Sequence, residues 1–255
     1  MSSSTWTPAA LSSEAGPLAG TAWRLVEAQH HVSTLKLVDS VAEQELLERL
    51  VEETKPAVPP ECRGLHYQLY TPFRYGTYPR GSRFRRAGAT PGVFYAAEAA
   101  VTAVAETAFY RLLFFAESPA TPWPSNPAEF TAFAVAHATG RTIDLAAPGF
   151  AAERATLMHP SDYAACQALA DAARESGIDV IRYPSVRDPG GGANLALLSC
   201  RAFAGPAPTG QQTWRLRISD TGVHAICEAP TARMTFDRTC FAADPRIAAM
   251  SWERP

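Results

Sequence analysis

The chain has 255 residues, 47% of them hydrophobic and 19% charged, and a formal net charge of −2. That length admits one large domain or a domain with a substantial appendage, and the near-neutral balance excludes a global field that would draw the molecule to nucleic acid or an anionic membrane surface. No run approaches the roughly 20 apolar residues of a membrane helix.

The five cysteines, Cys62, Cys166, Cys200, Cys227 and Cys240, contain no CxxC pair. Free thiols in a reducing cytoplasm are therefore expected, and neither a zinc ribbon nor a disulfide framework. Residues 1–20 are rich in Ser, Ala, Pro and Gly and lack the charged and apolar regions of a secretory leader. A loosely attached tail is expected there. Residues 21–60 read as a helical N-terminal extension. Its helix, "SVAEQELLERLVEETK", opens with Ser40 and Glu43 in capping-box spacing and carries apolar residues at helical intervals. Packing on its own domain is the plainer expectation for this helix, with oligomerisation or partner docking as the alternatives.

The remainder, 61–255, reads as one domain in which strands dominate. "HYQLYTP" is a short strand candidate, followed by a loop dense in arginine and aromatic residues, "FRYGTYPRGSRFRRAGATPG". "VFYAA" is a buried strand leading into an apolar helix that ends near "ESPATPWPSNP". "EFTAFAVAHA" and "RTIDLA" read as two strands, and "SDYAACQALADAARESG" as a helix started by Ser161 or Asp162 and closed by Gly177. "DVIRYPS" and "NLALLS" are buried strands around a flexible glycine turn, and three further strands, "TWRLRIS", "GVHAICEA" and "ARMTFDR", make a β-rich C-terminal segment. The fold class is α+β, mixed α/β.

Three features point to chemistry. Glu106 lies within the apolar helix "AVTAVAETAFYRLLFF", on one stripe with Thr102, Phe109 and Leu113. A buried carboxylate needs a cation, hydrogen bonds or a proton, and a structural ion pair would satisfy it as well as a functional role. The preceding loop supplies Arg74, Arg80, Arg83, Arg85 and Arg86, interleaved with Phe73, Tyr75, Tyr78 and Phe84. Guanidinium forks suit phosphate or pyrophosphate, and the rings suit stacking on a base or a nicotinamide. A solvated basic loop and a single-stranded RNA groove have the same composition, but the net charge argues against nucleic acid. Third, Ser185 ends a strand ahead of Arg187 and Gly190–Gly192, with no GxSxG around it to suggest an acyl-transfer nucleophile. His30 and His31 are the only adjacent histidine pair, no metal-spaced cluster exists, and no metal is expected.

Taken in order, "GSRFRRAG", "GVFYAAEAAVTAVAETAF" and "GIDVIRYPSVRDPGGGANLALL" resemble the RES-domain family, bacterial toxins paired with Xre-type antitoxins and named for Arg, Glu and Ser residues. The resemblance covers roughly residues 65–205, and the N-terminal stretch looks like the extension of longer members. It implies an ADP-ribosyltransferase-like RES fold over 61–255 that takes NAD as substrate and cleaves its nicotinamide–ribose bond. The acceptor in such proteins is inorganic phosphate, water or a protein side chain. Carried over by position, it implies catalytic roles for Glu106, Arg83 and Ser185. Ligand binding falls to Arg74, Tyr75, Arg83, Tyr95, Ser185, Arg85 and Arg187, with Arg83, Arg85 and Arg86 competing for one register. Phosphorolysis is favoured over hydrolysis because the loop offers spare anion sites. Mono-ADP-ribosylation of a protein and a non-catalytic nucleotide-binding module are the other readings.

Overall fold

The computed structural model describes residues 6–28, 37–89 and 91–254; the His30–His31 pair lies outside them. The segment expected to be a loose tail differs over residues 6–20. Thr7 caps a short helix α1 (Pro8–Ser13) whose Leu11 is fully buried, and strand β1 (Gly16–Glu27) begins directly after it. β1 also corrects the helical reading of residues 21–60. It lies antiparallel to β5 (Ala128–Asp144) along nearly its whole length, from Gly16 opposite Thr142 to Glu27 opposite Phe130. The pairing with a distant strand overrides local preference.

Helix α2 (Val41–Glu53) forms where the capping box places it: the Glu43 amide donates to Ser40 Oγ at 3.2 Å, and the Asp39 amide to Glu43 Oε2 at 2.9 Å. None of its residues is fully buried, but Gln44 and Leu47 are half-buried and Glu52 pairs with Arg74. The strand expected at "HYQLYTP" is instead helix α3 (Tyr67–Arg74), capped by His66 Nδ1 accepting from the Gln68 amide and fixed by buried Leu69. The loop after it holds a two-residue hairpin, β2 (Thr77–Tyr78) with β3 (Gly88–Ala89). Strand β4 (Phe94–Ala97) and helix α4 (Ala100–Glu117) follow the sequence reading. β5 joins the two strands read separately. After it come a helical turn α5 (Arg154–Leu157), helix α6 (Ala164–Glu175), β6 (Val180–Pro184) and β7 (Ala193–Leu197). Strands β8 (Gly210–Ser219), β9 (Gly222–Cys227) and β10 (Ala232–Asp237) precede a last turn, α7 (Pro245–Ala248), capped by Asp244.

The sheet runs β1-β4-β7-β6-β5-β8-β9-β10, and β5 also returns to β1. The first five strands in that order therefore close into a ring, and β8–β10 extend it as an antiparallel wing. β5 and β6 are parallel; the other pairs in the sheet are antiparallel. One core packs α4, through Val104, Ala108, Phe109 and Leu112, on Trp214, Leu216 and Ile218 of β8. A second packs α6, through Leu169, Ala170 and Ala173, on Ile181 and Ala196. α4 and the β6–β7 turn meet directly, through Thr102 with Asp188 and Glu106 with Ser185.

The free-thiol expectation needs one correction. Cys62 and Cys200, 138 residues apart in sequence, form a disulfide that ties the turn ahead of α3 to the turn after β7. Cys166, Cys227 and Cys240 are free. Nor is the glycine turn slack. Gly191 adopts a positive φ of 72°, and a Cβ on Gly192 would lie 2.1 Å from Thr102 Oγ1. That contact comes from the Thr102 hydroxyl donating to Asp188 Oδ2 at 2.7 Å, which fastens the turn to α4. The fold is mixed α/β.

Candidate active site

Glu106 projects from α4 into a cleft of about 1080 Å³. Its Oε1 accepts from Ser185 Oγ at 2.7 Å and from Asn194 Nδ2 at 2.6 Å, and its Oε2 from Arg187 Nη1 at 3.0 Å. A carboxylate offers about four lone-pair directions. Three are filled, which leaves one on Oε2. Ser185 sits at the end of β6, where its Oγ also accepts from the amides of Arg187 (3.2 Å) and Asp188 (3.0 Å). With two amides donating, the hydroxyl proton is directed at Glu106. Asn194 enters from β7, one strand over, and is 3% exposed.

Arg187 is the buried cation that meets Glu106. Its guanidinium lies 3.9 Å from the centroid of the Phe109 ring and donates to Glu106, Tyr110 Oη (3.3 Å), Tyr163 Oη (2.6 Å) and the Pro160 carbonyl (3.3 Å). Burial works against its charge, but the Tyr110, Glu106 and Tyr163 oxygens outweigh it and hold the pKa above the usual arginine range. Removing the Glu106 carboxylate leaves the buried Arg187 guanidinium without its counter-charge, at about 3–5 kcal/mol.

Tyr95, on β4, lies across the cleft. Its hydroxyl is within 2.8 Å of Ser82 Oγ and accepts from the Phe84 amide at 2.9 Å. Burial pushes the phenols of Tyr95 and Tyr183 up, so both are neutral donors at physiological pH. Arg83 is 5% exposed and lines the cleft, yet its Nη1 and Nη2 donate to the carbonyls of Leu157 (2.9 Å) and His159 (3.0 Å), while the guanidinium stacks on Tyr163. The fork expected to face a ligand is turned onto main-chain carbonyls. Arg85 donates to the Tyr75 carbonyl at 2.6 Å and lies over the Tyr78 ring; burial lowers its pKa. Tyr75 and Tyr78 stand half-exposed at the rim.

Arg74 does not reach the cleft. It donates to Glu52 Oε1 at 2.6 Å and to the Pro56 carbonyl, joining α3 to α2. Arg86 pairs with Asp171 at the surface. Arg24 on β1, which sequence reasoning missed, also lines the cleft. Its Nη1 donates to the Tyr95 carbonyl at 2.8 Å, and it lies 5.0 Å over the Phe94 ring. Burial lowers its pKa to about 10, the mark of a cation short of anionic partners. The alternation in "AWRLVE" is the strand signal that would have found it. Asn194 was missed as well. A polar residue at the start of an otherwise apolar buried strand was the available signal. Arg246, from α7, also lines the cleft, oriented by Asp244.

The sequence profile of the RES domain matches residues 58–219, well over half of the chain, and the chain belongs to the RES-domain family. β9, β10 and α7, with Arg246, lie beyond the match. Among solved structures, the chain is similar to one from the M. tuberculosis MbcT–MbcA toxin–antitoxin complex, at 15% identity and a TM-score of 0.44, covering 79% of this chain and 90% of that one. No curated protein matches the chain. Among the described residues, no helix is long and apolar enough to cross a membrane, and no cluster of three His, Cys, Asp or Glu residues is placed to hold a metal.

Proposed function

We propose that the protein is a toxin-type enzyme that cleaves the nicotinamide–ribose bond of NAD and passes the ADP-ribosyl group to inorganic phosphate. The observation that carries this reading is Glu106, fixed by Ser185, Asn194 and Arg187 on the wall of a cleft lined with Arg24, Arg83 and Arg85. In the reaction the bond between ribose C1′ and the pyridinium nitrogen breaks, and its electron pair neutralises that nitrogen. The sugar develops oxocarbenium character, as in glycoside cleavage. The Glu106 carboxylate, held by three donors, stabilises that charge and accepts from a ribose hydroxyl on its open Oε2 direction. Phosphate then attacks C1′, giving ADP-ribose phosphate and free nicotinamide.

Arg24 is the best placed fork for the pyrophosphate, with Arg85 beside Tyr75 and Tyr78 at the rim. Tyr95 packs against the nicotinamide ribose. Such a reaction drains NAD where NAD is held, in the cytoplasm, and the family resemblance supplies an Xre-type antitoxin that would block the cleft until release. Purified protein with NAD and phosphate is expected to release nicotinamide. Formation of sugar phosphate supports phosphorolysis, and free ADP-ribose supports hydrolysis. Label carried from NAD onto a protein band supports mono-ADP-ribosylation. NAD binding without turnover leaves a nucleotide-binding module.

A further inference from the structure

Behind the rim, Tyr95, Tyr110, Tyr163 and Tyr183 line the cleft, and three of these phenols are engaged. Tyr95 Oη meets Ser82 Oγ and the Phe84 amide, Tyr110 Oη accepts from Arg187, and Tyr163 Oη accepts from Arg187 and donates to the Pro160 carbonyl. Tyr183 differs. Its hydroxyl has no hydrogen-bond partner among the described residues, although the residue is only 7% exposed. The ring itself is well placed, in the core under α6 and edge-on to Phe84 with 4.9 Å between centroids. Phenylalanine would fill that space equally well, and a buried hydroxyl without a partner costs stability. Packing therefore accounts for the ring and leaves the hydroxyl to be explained.

The hydroxyl stands beside the Glu106 constellation. Tyr183 precedes Ser185 by two residues, so the two share one side of the extended chain, and it pairs opposite Asn194 on β7. Ser185 and Asn194 are the two donors to Glu106 Oε1. The phenol oxygen interacts electrostatically with Glu106, Tyr95 and Arg83, all on the cleft wall, and burial keeps it protonated. It is an uncharged donor with nothing to donate to, at the place where the reacting ribose carbon would sit.

We propose that the Tyr183 hydroxyl donates to the carboxamide oxygen of the nicotinamide ring that leaves. This contact rests on the NAD reading above and assigns one residue within it. The carboxamide lies two ring atoms from the nitrogen bound to ribose C1′, so a substrate with C1′ at Glu106 carries it into the neighbourhood of Tyr183. A neutral phenol suits an uncharged amide oxygen, whereas the pyrophosphate is matched by the Arg24 guanidinium. Donation to that oxygen also favours departure, because the ring gains the electron pair of the broken bond.

The test pairs Tyr183→Phe with a substrate that lacks the contact, pyridine adenine dinucleotide, in which hydrogen replaces the carboxamide. Tyr183→Phe is expected to lower kcat/KM for NAD roughly 3- to 10-fold and to change that for the pyridine analogue less than 2-fold. Its melting temperature should equal or exceed the parent's, since the hydroxyl it removes has no partner in the free protein. An equal loss with both substrates, no loss with NAD, or a lower melting temperature overturns the proposal. If the parent releases no nicotinamide, the enzyme reading fails by itself, and calorimetry then decides the contact. NAD binding that weakens in Tyr183→Phe while binding of the analogue holds supports it, and any other pattern overturns it.

Discussion

At the scale of single residues, Glu106 answers to three donors from three places in the chain: Ser185 at the end of β6, Arg187 two residues on, and Asn194 on β7. The sequence showed that Glu106 needed partners and proposed arginines from the loop at 73–86. The partners came instead from around the glycine turn, because strand pairing of β6 with β7 brings Tyr183 opposite Asn194, beside Ser185. The Arg24 and Arg74 assignments are separable by experiment. Arg24→Ala should raise KM for NAD roughly 10- to 100-fold, the equivalent of one charged hydrogen bond of about 1.5–3 kcal/mol. Arg74→Ala should leave KM unchanged, since its guanidinium serves Glu52 and Pro56. Equal effects in initial-rate assays would return Arg74 to the site.

At the scale of elements, α4 and strands β4, β6, β7, β8, β9 and β10 follow from apolar periodicity and turn residues. β1 and α3 do not. β1 carries the Trp-Arg-Leu-Val alternation but sits between a proline-rich start and a helix, and only its pairing with β5 settles its conformation. α3 contains Pro72 and two tyrosines, a composition that favours extended chain until His66 caps it. The C-terminal turn α7 depends on Asp244, which is 2% exposed and accepts from the Arg246 amide, Nε and Nη2. Burial raises the Asp244 pKa, but the Arg246 hydrogen bonds and charge prevail and lower it. Its stabilising contribution is therefore present above the unfolded carboxylate value near 3.9 and lost as pH falls through the lower folded value. Asp244→Asn should cost about 1–3 kcal/mol in urea unfolding at pH 7, with the difference from the parent shrinking below about pH 4. A difference that persists unchanged at pH 2 would contradict the ionised cap.

At the scale of the whole molecule, the mixed α/β class and the RES-type core were legible, and the covalent closure was not. Cys62 and Cys200 give no spacing signal because 138 residues separate them, and only the fold brings the turn ahead of α3 to the turn after β7. A loop of that size is worth about 4–5 kcal/mol in the chain-entropy account. Reduction with a dithiol should lower the melting temperature by roughly 10 °C, while Cys62→Ser with Cys200→Ser should melt low with or without reductant. Identical melting of the parent with and without reductant would contradict the bond. The central claim is that the Glu106 constellation breaks the nicotinamide–ribose bond. Nicotinamide release from NAD, with and without phosphate, measures it most directly, on the parent and on Glu106→Gln shown folded by circular dichroism. Phosphate-dependent release is predicted for the parent, with a loss on the order of 100- to 1000-fold in the variant. Full release by Glu106→Gln would contradict the account.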